Sequence, residues 1–157
     1  MAKVSVATPR GVDLATASTI IDHALRVARS RNLRPMTIAV LDSGGDLVAF
    51  KREDGTGIRR YDVVIGKAFG SLVMNRPSRD IGKIAERAPV FIQSLATATQ
   101  GRLIPTPGGV LIKDQAGRIV GAVGSRATKP MPTKPARSKR SAPPAWCPSR
   151  RKRRAES

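Results

Sequence analysis

Residues 103–124 read L-I-P-T-P-G-G-V-L-I-K-D-Q-A-G-R-I-V-G-A-V-G, and this stretch decides the fold. Val110, Leu111 and Ile112 run into a turn signal, Asp114-Gln115-Ala116-Gly117, and Ile119, Val120 and Val123 run out of it. Two apolar runs around such a turn predict a β-hairpin. The preceding chain has the pattern of an α/β-type domain that closes on this hairpin. The chain after Gly124 has a different composition altogether.

Working back from the hairpin, residues 36–52 repeat the same pattern: M-T-I-A-V-L-D, S-G-G-D, L-V-A-F-K-R. This predicts a second hairpin with a Gly-Gly turn. The Gly-Gly pair has neither the Lys-Ser/Thr of a P-loop nor G-x-G-x-x-G spacing, so a phosphate-binding loop is rejected. Upstream, Asp13 is an N-cap candidate for a helix over about residues 14–31, with Leu14, Ala17, Ile21, Ala24, Leu25 and Ala28 on one apolar face.

Between the hairpins, E-D-G-T-G-I-R-R is a loop. It leads into a helix over about residues 59–74, with Tyr61, Ile65, Ala68 (or Phe69) and Leu72 as its stripe. Gly66 and Gly70, four apart, weaken that helix but permit close approach of another backbone. Pro77 breaks it, Ser78 is expected to cap the next helix, and Pro89 suits the first turn of a further one. Helix, hairpin, two or three helices, hairpin: this order implies an α+β domain with a mainly antiparallel sheet.

The formal charge is +18, unevenly placed. Residues 1–125 carry 18 basic and 10 acidic side chains, a net +8, while residues 126–157 carry 11 basic residues and only Glu156, a net +10. All 14 glycines precede residue 125, six of the 12 prolines follow it, and the single Trp146 and single Cys147 lie in the tail. A lone cysteine excludes an internal disulfide and a cysteine metal cluster. The first ten residues lack the apolar core of a signal peptide, and no apolar run approaches the ~20 residues of a membrane span. A soluble cytoplasmic protein without a membrane partner is expected.

Four stretches in order, L-R-P-M-T-I-A-V-L-D-S-G-G-D-L-V-A-F-K-R-E-D-G, I-G-K-A-F, N-R-P-S-R and the opening G-R-L-I-P-T-P-G-G-V-L-I-K-D-Q-A-G-R-I-V-G-A-V-G, resemble the GlcG/HbpS family, related to the C-terminal domain of PduO-type corrinoid proteins. The resemblance covers residues 12–124. It implies a roughly five-stranded, mainly antiparallel sheet flanked by helices, self-assembly into dimers or larger oligomers, and haem or another tetrapyrrole as ligand. It also places Tyr61, Lys67, Arg76 and Arg79 in matching segments. Arg or Lys could pair with porphyrin propionates, and Tyr or His could reach iron. Lys67 alone reads more readily as a solvated lysine. His23, the single imidazole, lies nearly opposite Ile21 on its helix; it is a candidate iron ligand, but a solvated helix position is the simpler reading. No Ser-His-Asp set, acid/base carboxylate pair or metal-ligand cluster is visible, so residues alone indicate a binding module; haem degradation is implied only by resemblance. A non-haem oligomeric structural or regulatory module is the alternative.

The family continues past this hairpin with a Gly/Asp-rich loop and a C-terminal helix. Here residues 126–157 form a basic, Pro-rich tail, expected to be disordered and to lack that helix. Read one base out of frame, with mostly G or C third bases, residues 126–148 become G-D-Q-A-D-A-D-E-A-C-A-L-E-A-V-G-T-A-G-L-V-P, an acidic loop and helix former. Two of its residues are forced by the code: Met131-Pro132 must give Ala and Trp146-Cys147 must give Val. A domain over residues 1–125 followed by an out-of-frame tail is therefore expected. The competing reading is a native nucleic-acid-binding tail ending in R-R-K-R-R, which the accidental route to Arg and Pro makes the weaker one.

Overall fold

The computed structural model describes residues 11–127. The element order is α1 (Leu14–Ser30), β1 (Met36–Asp42), β2 (Leu47–Arg52), α2 (Arg60–Met74), α3 (Ser78–Arg87), α4 (Pro89–Ala98), β3 (Gly109–Lys113) and β4 (Ile119–Ala127). The four strands form an antiparallel sheet in the order β2-β1-β4-β3. The α+β class and both hairpins are as expected. Among the described residues the sheet has four strands rather than about five. At its N-terminal end Val12 adds one backbone bond, to Val120 O at 2.9 Å, and no strand.

Both hairpins turn on an aspartate. Asp42 Oδ1 accepts from Gly44 N–H and Asp46 N–H, both at 2.9 Å. Asp114 Oδ1 accepts from Arg118 N–H at 2.9 Å, and Gly117 supplies the positive φ of +79°.

Strand alternation divides the core. Ile38 and Val40 pack with Ala17 and Ile21 under α1, while Leu41 and Ala122 pack with Ala68 under α2. The two helices therefore cover opposite faces. A third cluster, Ile81, Ile92 and Leu103, joins α3 and α4 to the chain entering β3. Asp13 caps α1 as expected, accepting from Thr16 N–H at 2.7 Å. That bond holds its carboxyl below the usual range.

Four details differ from the expected pattern. Leu14, the first residue of α1, is 63% exposed and lies outside the core cluster that Ala17 and Ile21 join. On α2, Tyr61, Ile65 and Leu72 of the expected stripe form only a flank, and Ala68 alone of it is fully buried. The buried centre runs through Val64, Lys67, Ala68 and Ser71, because β4 crosses there. Gly124 lies so close that a Cβ on it would stand 1.8 Å from Val64 O. Ser78 is the first residue of α3, not its cap; Pro77 holds that position and the serine hydroxyl is spent on the loop before β3. Finally, β4 pairs with β1 through Ala127, past the expected seam at residue 125. The expected loss of a C-terminal helix concerns residues outside those described.

Candidate functional site

The site grows from the start of α2 and the loop that crosses it. Gly66 and Gly70 permit the close approach expected of them. Ile104 N–H donates to Gly66 O at 3.1 Å, and a Cβ on Gly66 would stand 2.8 Å from Ile104 Cγ1. The chain from Leu103 into β3 thus lies directly on the helix.

Lys67 fixes that loop. It is 2% exposed, not solvated. Its ammonium donates to Pro107 O at 2.7 Å and Ser125 O at 3.2 Å. Ser78 hydroxyl donates to Thr106 O at 2.8 Å and accepts from Gly109 N–H at 2.6 Å. Ser125 N–H donates to Gly108 O at 2.7 Å. Buried carbonyls need donors, and an ammonium supplies several at once. Residues 104–109 are thereby tied to α2, α3 and β4 together.

Beside this loop opens a cleft of about 410 Å³. Its charged lining is Arg59, Arg60 and Arg126; its apolar lining is Ile58, Val63 and Ile104; Gly57 and Thr106 complete it. Ile58 is 86% exposed, a large apolar side chain standing at the mouth. Arg126 Nε is buried without a hydrogen-bond partner, and so is Oγ1 of its cross-strand neighbour Thr37. Such orphans are uncommon and costly. A second cleft, about 510 Å³, shares Arg59 and is lined further by Tyr61, Asp62, Ile65 and Arg102, among others. There Arg102 lies over the Phe69 ring at 4.0 Å and donates to Gly45 O at 3.1 Å. Arg59 pairs with Asp62 at 3.2 Å on an exposed surface, a weak tie that leaves the guanidinium available.

The residues singled out from sequence do not converge. Tyr61 lines the second cleft, its ring set edge-on against Phe50 at 5.3 Å. Lys67 supports the cleft wall from behind. Arg76 is exposed beyond the end of α2, with Nε donating to Met74 O at 3.2 Å. Arg79 is exposed on α3, and His23 is exposed on α1, the helix on the opposite face of the sheet. The residues missed are Ile58, Arg59, Arg60, Val63, Ile104, Thr106 and Arg126. A signal for two of them was present: Arg59 and Arg60 stand at a helix N-terminus, where the backbone dipole favours acidic side chains. No group of three potential metal ligands occurs among the described residues, and no helix among them is long and apolar enough to cross a membrane.

A family model described as haem degrading protein HbpS-like matches residues 12–130. Similar solved structures include Klebsiella pneumoniae protein ORFY, with TM-score 0.68 and 20% identity over 82% of this chain and 86% of that one. PduOC in complex with heme gives TM-score 0.65 and 15% identity, covering 76% and 84%. A double mutant of Streptomyces reticuli HbpS gives TM-score 0.63 and 23% identity, covering 80% and 79%. Among curated proteins none matches significantly.

Proposed function

Because the chain belongs to the HbpS-like family, we propose that it binds haem or a related tetrapyrrole in the cleft lined by residues 57–60, Val63, Ile104, Thr106 and Arg126. The observation that carries this reading is the lining itself: three guanidiniums beside three aliphatic side chains. A tetrapyrrole has the matching parts, an apolar ring and ionised carboxylates at its edge. Guanidinium forks bind carboxylates in bidentate fashion and stay protonated at any working pH. The cleft volume falls in the range of about 300–1,000 Å³ usual for cofactor sites. A solved relative of this fold, PduOC, was crystallised with heme.

Arg60 and Arg126 would hold the carboxylates, and Ile58, Val63 and Ile104 would cover the ring. Bound haem would supply redox chemistry at its iron. The lining contributes no His, Cys, Asp or Glu to move a proton, which favours binding and handling over residue-driven catalysis. Titration of the purified protein with haem, followed by the Soret band, tests the reading. Saturable binding weakened by Arg60→Gln and by Arg126→Gln is expected, and a non-saturable response would refute it.

A second reading, an oligomeric module acting through its interface, is favoured by α4, where Val90 is 75% and Phe91 52% exposed. Apolar side chains exposed together mark association surfaces. Light scattering on a Val90→Glu, Phe91→Glu variant tests it, with loss of the oligomer as the expected result.

A further inference from the structure

The cleft meets two parts of a tetrapyrrole and leaves out the third. Proteins hold haem iron with His, Cys, Met or Tyr, and none of the lining residues is of these types. Thr106 brings only a neutral hydroxyl. The nearest phenol, Tyr61, faces the second cleft and packs its ring on Phe50. His23 stands on α1, which covers the other face of the sheet. Lys67, buried behind the loop, spends its ammonium on backbone carbonyls.

Of the two unpartnered buried side chains among the described residues, Arg126 belongs to the cleft lining itself. Arg126 Nε–H is a buried donor without an acceptor, next to the equally unpartnered Thr37 hydroxyl. An ionised carboxylate seated side-on against the guanidinium accepts from Nε–H and Nη–H together. Arg60, half-buried at the first turn of α2, offers a second fork on the same cleft.

Resting on the tetrapyrrole reading above, we infer that this cleft recognises its ligand through the carboxylates and the apolar ring without ligating the iron, so that metal-free porphyrins bind as well as haem. The metal contributes nothing to affinity when no side chain reaches it. A carrier of this kind accepts the porphyrin before metal insertion or after metal removal.

The test uses the full-length protein and the fluorescence anisotropy of metal-free protoporphyrin IX, first titrated directly and then displaced by haem. The two dissociation constants should agree within about threefold, and the porphyrin dimethyl ester should bind at least about tenfold more weakly. Arg60→Gln and Arg126→Gln, checked for folding by circular dichroism, should weaken both ligands in parallel. His23→Ala, Tyr61→Phe and Cys147→Ser should leave both constants unchanged. Haem binding more than about tenfold tighter than the metal-free ring, or any of those three variants weakening haem alone, overturns the inference and leaves the tetrapyrrole reading intact. Saturation by neither ligand overturns both.

Discussion

Gly124→Ala is the sharpest test of how the sheet and α2 fit together. Gly124 has no unusual φ, so the substitution adds nothing to the backbone but a methyl group. That methyl would stand 1.8 Å from Val64 O, 2.7 Å from Val64 C and 3.2 Å from Ala68 N. Ordinary contact begins near 3.4 Å, so strand and helix must separate by about 1.6 Å. The obstacle is backbone on both sides, and no side chain can turn away. Close-packed interiors do not absorb such a gap. The cost belongs at the top of the overpacking range, about 3 kcal/mol. For a domain of this size that lowers Tm by about 12 °C, taking about 4 °C per kcal/mol. Gly117→Ala is the control. It meets nothing within 4 Å, but Gly117 has φ +79°, so its cost of about 1–2 kcal/mol is conformational. Thermal unfolding followed by circular dichroism compares the two. If Gly124→Ala is no more damaging than Gly117→Ala, the close crossing of β4 and α2 is wrong.

Lys67→Met should destabilise by about 2–4 kcal/mol in urea unfolding: two charge-assisted bonds are lost, partly offset by no longer burying an ammonium. An unchanged midpoint would show that the clamp contributes nothing. Asp13 and Asp114 both have carboxyls held below their ordinary value of 3.8, by hydrogen bonds from Thr16 and Arg118 respectively. Lowered folded-state values stabilise above the unfolded value, and that stability is lost as pH falls through the folded values. The thermal midpoint should therefore drop below about pH 3.8, and drop less in an Asp13→Asn, Asp114→Asn double variant; parallel curves would contradict this. A protein with residues 126–157 replaced by the shifted-frame product should have a higher midpoint than this chain, although it loses Arg126 from the cleft. Equal midpoints, or stop codons in that frame of the coding sequence, would count against the frame explanation.

Both hairpins and the first helix were legible because each rests on a local device: apolar runs on either side of the Gly44-Gly45 turn and of the Asp114–Gly117 turn, and Asp13 at the cap. The face of α2 was not. Periodicity sees apolar side chains, whereas this helix buries Lys67 and Ser71 and uses two glycines as its contact surface. Lys67 read as solvated because its partners, Pro107 O and Ser125 O, are carbonyls 40 and 58 residues away that no composition count reveals. The cleft was hidden for a similar reason. It is assembled from a loop, a helix start, a crossing segment and the end of the last strand, and even its R-R pair was read only as part of a loop.

The Lys67 clamp also sets how a ligand arrives. The loop from Ile104 to Gly109 is held by the ammonium, the Ser78 hydroxyl and Ser125 N–H within the chain's own fold. One wall of the cleft therefore stands before any ligand is present, and no ordering entropy is deducted when it fills. If the proposed cleft binds its ligand, capture is expected to proceed in a single step, with an observed rate that climbs in proportion to ligand concentration and shows no plateau. Cutting the clamp should show first in the speed of entry, as a lag while the wall re-forms.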